Sequence, residues 1–397
     1  MRRVIKNSLP SLAALAALLL LYGSHSTASA ASSGVVTITF DDGSASQYTD
    51  VVPVLKAADQ KAVFFLNSGF LGTATYMTWD QVVELHNSGF EIAGHTLKHT
   101  ELPTVTQSKM KSEINKDYAN FVAHGITPTN FASPFGAYDN TMLSLVAKTY
   151  NSHRAFANQG LNFWPYTKYI LNVRYITNQT SLDQVKAWVD EAVTQDGWLV
   201  LVFHEILPVV DPTDDYSWET TKFQGFIDYL NAQGIQAKTI EDVLLSYANL
   251  ITNGGFENGL TPGWTTDNTN VVAVNMAGNG SYPSSTNSIK MTGKAKVGHL
   301  FGQKIPVSSA NTYGFRAYTD SRKLTAGEVG FYIDEYDGAS NWISGKWLGG
   351  FVNQNVVDKS YIYKPSSASV QAAAIQVYMT AGSKGNVFID NIELFVR

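Results

Sequence analysis

Between residues 35 and 247 the chain alternates apolar runs of strand length with amphipathic stretches of helical period. VVTITF (35–40) and AVFFLN (62–67) are continuous apolar segments, as are those ending at Gly94, Pro134, Tyr175, His204 and Thr239. Unbroken runs rich in β-branched residues predict strands covered on both faces. Between them, 79–89, 182–197 and 220–234 carry apolar positions at helical spacing. In the second of these, Val185, Trp188, Val189 and Ala192 share one face. Thr78 followed three residues later by Gln81 predicts a capping box at the first helix. Buried strands separated by helices imply a parallel sheet with crossover helices. Seven or eight such units in about 210 residues suit a closed barrel, whose sites lie at the C-terminal ends of the strands. The expected class is therefore α/β, a (β/α)7-8 barrel.

At Leu250 the helical period stops. From Ile251 short alternating segments follow (SIKM, GHLFGQKIPV, YGFRAYT, GEVGFYIDEY, AIQVYMT, NVFIDNIELFV), separated by Gly, Asn, Ser and Pro. Many short strands at regular spacing predict an all-β sandwich. The expected division is a signal peptide at 1–30, a catalytic barrel at 31–249 and a β-sandwich at 250–397. The signal peptide rests on Arg2, Arg3 and Lys6, an apolar stretch from Leu9 to Leu21, and the small-x-small site Ala28-Ser29-Ala30. That apolar stretch is too short for a membrane span. The expected location is secreted, or associated with the cell envelope through glycan binding, with no membrane attachment after cleavage.

Composition narrows the partners. Loss of Arg2, Arg3 and Lys6 would take the formal charge from −5 to −8, and no basic patch remains to suit nucleic acid. Charged residues make up 15% of the chain and aromatics 12%, with abundant Gly, Asn, Ser, Thr and Tyr, a surface suited to sugars. There is no cysteine, so disulfides are excluded.

Three strand ends carry the chemistry: TFDD (39–42), HTLKH (95–99) and LVFH (201–204). His95, His99 and Asp42 supply two imidazoles and a carboxylate, which leaves one position open in a catalytic zinc site. Alone, an HxxxH spacing is weak, and DDG is also a common turn. Adjacent residues of a strand point to opposite faces, so Asp41 and Asp42 share a pocket only if the chain turns at Gly43. With Asp42 on the metal, Asp41 is the expected general base, and His204 the expected acid for the leaving group.

These motifs, together with SPFG (133–136), resemble the ordered motifs of the NodB-type polysaccharide deacetylases, carbohydrate esterase family 4, over roughly 33–245. The resemblance implies a distorted barrel, zinc or another divalent transition metal, and removal of acetyl groups from an acetylated polysaccharide. By position it implies Asp41 as base, Asp42, His95 and His99 as ligands, the Phe135 N–H on the oxyanion, and His204 as acid. One departure stands out: the arginine that opens the family's third motif is replaced by Ala132. Arg174, isolated in the strand-like ILNVRYI, is the expected substitute partner of Asp41. Trp164 and Trp198 are candidates for the acetyl-pocket wall, and Asp211, Asp214, Asp215 or Asp242 for the carboxylate behind His204. ITNGGFENGLTPGW (251–264) and NVFIDNIELF (386–395) resemble the outer strands of jelly-roll carbohydrate-binding modules of the family 4/9 type. That resemblance implies a structural calcium with Glu257 and Asp390 as side-chain ligands. Trp264, Trp342, Trp347, Tyr361 and Tyr363 are candidates for stacking on sugars, and Trp342 and Trp347 have the most polar flanks.

The expected activity is N-deacetylation of N-acetylglucosamine polymers by a monomer. Acetylxylan esterase activity is the enzymatic alternative. A non-catalytic glycan-binding protein, or a scaffold with an incidental metal, would be the other classes.

Overall fold

The computed structural model describes residues 34–210, 213–276, 286–352 and 357–397. The expected signal peptide lies outside the described residues. Seven parallel strands close into a barrel: β1 (Val35–Asp42), β2 (Val63–Leu66), β3 (Glu91–Gly94), β4 (Asn130–Ala132), β5 (Ser152–Gln159), β6 (Leu171–Tyr175) and β7 (Trp198–Phe203). β1 pairs with both β2 and β7, from Thr39↔Val63 on one side and Val35↔Trp198 on the other. The segment ending at Thr239 is not an eighth strand. Thr239 instead caps α7 (Ile240–Leu244), its side chain accepting from Asp242 N–H.

Strand alternation sorts the side chains into two cores. Ile38, Phe40, Phe64, Leu199, Leu201 and Phe203 face the surrounding helices, and Val63, Phe65, Ala93, Val173, Val200 and Val202 fill the barrel interior. The helices α1 (Val52–Ala57), α2 (Trp79–Asn87), α3 (Gln107–Ala123), α4 (Asn140–Val146), α5 (Leu182–Gln195) and α6 (Thr220–Ala232) connect the strands. α2 starts at the Thr78–Gln81 capping box, and α5 buries Val185, Val189 and Ala192. A short parallel pair, β8 (Glu205–Leu207) and β9 (Ser217–Glu219), follows β7.

The C-terminal strands form two antiparallel sheets. One runs β10 (Trp264–Thr266), β13 (Gly298–Gly302), β19 (Ala372–Met379), β16 (Val329–Tyr336) and β17 (Trp342–Phe351), with β14 (Ile305–Pro306) also on β19. The other runs β11 (Val272–Asn275), β12 (Ser288–Thr292), β20 (Lys384–Val396), β15 (Tyr313–Ala326) and β18 (Val357–Tyr363). They share one core: Leu300, Phe331, Ile333 and Ile375 from the first meet Ile289, Phe315, Ile389 and Leu394 from the second. The second sheet turns its outer face to the barrel. Phe395 packs edge-on against Trp164 at 5.6 Å, and Asp358 accepts from Lys168 N–H at 3.0 Å.

Candidate active site

The site sits where β1, β3, β4 and β7 end. Asp41 has the parity of Thr37 and Thr39 and is fully buried inside the barrel. Plain alternation would send Asp42 to the opposite side. Asp42 instead takes φ +76° and Gly43 φ +86°, and Gly43 N–H donates to Asp41 O at 3.0 Å. This sharp turn brings both carboxylates to one pocket. The positive φ at Gly43 favours glycine, and an added Cβ would also press on the tip of the Leu66 side chain, 2.9 Å away.

The HxxxH spacing of His95 and His99 would align two side chains on a helix, but after β3 the chain does not enter a helical turn. Residues 95–99 are irregular, with Thr96 at φ +68° and His99 at φ +50°. Buried side chains hold that shape. Asn67 Nδ2 donates to the carbonyls of His95 and Thr96, and Asp117 accepts from His95 N–H at 3.2 Å. Glu113 accepts from Lys98 N–H at 3.0 Å. Residues in the left-handed region cost of order 1–3 kcal/mol each and persist where surrounding contacts over-determine them.

His95 Nδ1 lies 2.9 Å from Ala132 O, which makes that nitrogen the donor and leaves Nε2 to face Asp42. Nε2 of His95 and of His99 stand 3.4 and 3.2 Å from Asp42 Oδ1, and the three ligand atoms lie within 4.8 Å of one another. Asp42 Oδ1 is buried with no hydrogen-bond partner among the described residues. A tetrahedral ion with bonds of about 2.0–2.2 Å separates its ligand atoms by about 3.4 Å, so these residues fit zinc or a similar divalent ion. Burial would raise the Asp42 pKa. The facing His95 ring, then the charges of His204 and His99, outweigh it and hold the carboxyl well below the usual range.

Beneath this trio, Asp41 Oδ1 accepts from Arg154 Nη2 of β5, with both side chains fully buried. Arg154 also lies 4.2 Å from the centre of the Phe65 ring. Asp41 Oδ2 has no partner among the described residues, so one oxygen is clamped and one is free to take a proton. The expected partner, Arg174, is not there. β6 buries Val173 inside the barrel, so Arg174 points to the helix layer, 3.5 Å from Glu191 and over the Trp188 ring of α5. Arg154 takes the place expected of Arg174.

His204 follows β7 on the side of the pocket away from β3. Its ring is 4.9 Å from Tyr216 and 5.8 Å from Phe156, and burial lowers its pKa despite Asp41 and Asp42. Nδ1 has no partner among the described residues. Of the expected carboxylates, Asp211 lies outside the described residues. Asp214 lines the pocket while accepting from Tyr216 N–H, and Asp242 pairs with Lys61. Phe135 adopts φ +59° in the turn Pro134–Gly136 and is 60% exposed, its ring 4.5 Å from His99. His153, unremarked in the sequence, supports that turn through Ser133 of the SPFG motif, with an Oγ···Nε2 contact of 2.5 Å. Asp42, His95, His99, Phe135 and His204 line one cavity of about 290 Å³, together with Phe156, Glu205, Asp214 and Tyr216.

Trp164 and Trp198 are not pocket walls. Both are buried in the barrel core, and Trp198 opens β7, at the end away from His204, donating to Thr37 Oγ1 at 2.9 Å. In the C-terminal sheets Trp264 and Tyr363 are core and Tyr361 packs against it, so none of these three is free to stack. Glu257 accepts from the N–H groups of Thr286 and Asn287 at 3.0 Å, and Asp390 is fully buried opposite Tyr318. Trp342 and Trp347 lie on the edge strand β17, 62% and 37% exposed.

Residues 28–151 match the family model for Polysaccharide deacetylase. The matched stretch holds Asp41, Asp42, His95, His99 and Phe135, and ends before Arg154 and His204. Over 116 residues the chain is 34% identical to the Bacillus subtilis protein YxkH, covering 29% of this chain and 41% of that protein. It is 24% identical over 117 residues to a chitin deacetylase of Arthroderma benhamiae, covering 29% of this chain and 31% of that enzyme. The chain thus spans less than half the length of these curated relatives. Among solved structures, the Xyl-CE4 domain of a multidomain xylanase from the hindgut metagenome of Trinervitermes trinervoides is similar with a TM-score of 0.40 and 20% identity, over 54% of this chain and 90% of that one. The likeness to polysaccharide deacetylases found by the family model lies in the N-terminal part of the chain, over residues 28–151.

Proposed function

We propose that the protein is a secreted, metal-dependent deacetylase of N-acetylglucosamine polymers. The observation that carries this reading is the orphaned Asp42 Oδ1 facing two imidazole nitrogens, with the half-clamped Asp41 carboxylate beside it. Zinc or a similar ion held by Asp42, His95 and His99 would polarise the acetyl carbonyl and acidify the attacking water. The free Oδ2 of Asp41 takes the water's proton as its oxygen adds to the acetyl carbon. Arg154 holds the other oxygen and fixes the direction of the free one. The Phe135 N–H would donate to the developing oxyanion. As the C–N bond breaks, His204 gives a proton to the leaving nitrogen; its burial weakens its hold on that proton and makes the charged ring a strong donor. The products are acetate and a free amine.

Glu205 and Asp214 line the cavity and no lysine or arginine does so among the described residues, with Phe135 and Tyr216 exposed beside it. This lining suits a neutral or amine-bearing glycan and disfavours an anionic one. On the outer face of the first C-terminal sheet, Trp347, Tyr332, Tyr378, His299 and Phe301 form a chain of ring contacts at 4.6 to 6.2 Å across four strands. The Trp347 indole lies over the bare backbone of Gly330, where a Cβ would sit 2.1 Å from the ring. This band is the proposed glycan platform, with Trp342 at its edge.

Acetate release from chitin oligomers, poly-N-acetylglucosamine, peptidoglycan and acetylxylan tests the reading. Release from an N-acetylated polymer, abolished by Asp41→Asn, supports it. Release from acetylxylan alone would make the enzyme an O-deacetylase, and binding without release a glycan-binding protein.

A further inference from the structure

Gln47 is fully buried beside the site, on the single π-turn Gln47–Val51 that follows β1. Its Nε2 donates to two carbonyls, Asp41 O at 2.5 Å and His204 O at 3.0 Å. Both partners can only accept, so the amide nitrogen must face them and the assignment of the two amide atoms is settled by chemistry. The ladder between β1 and β7 ends at Phe40↔Phe203. Asp41 and His204 are the next residue on each strand, where the strands part to open the pocket. Gln47 therefore supplies a side-chain rung where the backbone rungs stop, and it joins the backbones of the two residues that move protons.

Two further features argue against a mere filler. Gln47 Oε1 is buried with no partner among the described residues, an arrangement that costs stability and that an apolar side chain of the same shape would avoid. Isolated π-turns inside helices also concentrate at functional sites. This one is anchored at its base, where Ala45 N–H donates to Thr75 O at 2.9 Å and Gln47 N–H to Ser44 O at 3.1 Å.

We propose that Gln47 is a positioning residue, which sets the separation of the proton acceptor Asp41 and the proton donor His204 by bridging their carbonyls. Its kinetic consequence rests on the deacetylase reading, and its structural consequence does not. The test is Gln47→Met in the full chain, similar in shape but without donors. Amide exchange should rise at least about fivefold in peptides spanning 40–46 and 202–207, with the rest of the barrel unchanged. On penta-N-acetylchitopentaose kcat should fall about 100-fold, as expected for misplacement of catalytic groups by about 1 Å, with KM and zinc affinity within twofold. Exchange that rises evenly over the barrel, or not at all, overturns the proposal; so does a kcat within twofold of the parent. If the parent itself releases no acetate from any glycan, the deacetylase reading fails, and the exchange pattern still decides whether Gln47 is the bridge.

Discussion

Replacing Arg154 with Met should expose how the barrel keeps a carboxylate at its centre. Asp41 and Arg154 are both fully buried, and Arg154 makes the one hydrogen bond to the Asp41 carboxylate among the described residues. Removing the guanidinium leaves an uncompensated charge in an apolar surround of Phe65 and Phe156. Breaking a buried pair from one side costs about 3–5 kcal/mol, far more than an exposed pair is worth. Denaturant unfolding of the parent, Arg154→Met, Asp41→Asn and the double variant closes a cycle. The double variant should be more stable than the sum of the singles allows, with a coupling of at least about 2 kcal/mol. Acetate release by Arg154→Met should fall about 100-fold or more, because the base is no longer held. Arg174→Ala is the control. Its partner Glu191 is partly exposed, so stability should change by less than about 1 kcal/mol and turnover should hold. A coupling below about 0.5 kcal/mol, or a larger loss of turnover in Arg174→Ala than in Arg154→Met, would refute the assignment.

Other consequences are as direct. Zinc at about 1,000 times its Kd should add about 4 kcal/mol to the parent, and the gain should vanish in Asp42→Asn and in His99→Ala; calorimetry with and without a chelator reads it. His153 is fully buried, and burial lowers its pKa to about 4. Its neutral ring therefore contributes stability above the unfolded value of about 6.5, and that contribution is lost as pH falls towards 4. The stability gap between the parent and His153→Asn should shrink by about 3 kcal/mol from pH 7 to pH 4, and a gap that does not change with pH contradicts this. Trp347→Ala should weaken retention on an insoluble glycan about tenfold, the scale of one aromatic contact, while acetate release from short oligomers is unchanged. Equal loss of both would place Trp347 in the fold rather than in the platform.

Much of this site could be read from the chain because its donors follow apolar strands, where an ionisable group has no other reason to stand. Asp41, Asp42, His95, His99 and His204 all carry that signal. Arg154 does not. Its strand reads SHRAFANQ, and Ser152, His153 and Arg154 at its start are buried only because partners reach them from elsewhere: Asn130 for Ser152, Tyr169 for His153 and Asp41 for Arg154. A strand satisfied by tertiary hydrogen bonds shows no hydrophobic period to find. Arg174 sits in a clean strand pattern, yet its parity beside Val173 sends it outward. Counting in from Val173 would have excluded it. Trp164 and Trp198 misled for a related reason, since residue type alone does not tell the pocket end of a strand from the far end. The left-handed backbone at Thr96 and His99 has no signal in HTLKH; it is imposed by Asn67, Asp117 and Glu113.

The most direct test is acetate released from poly-N-acetylglucosamine oligomers by the full chain, first stripped of metal and then given one equivalent of zinc. The account expects no release from the stripped chain, recovery at one equivalent, and none in Asp42→Asn at any zinc level. Acetate released at the same rate without metal, or by Asp42→Asn, would contradict it.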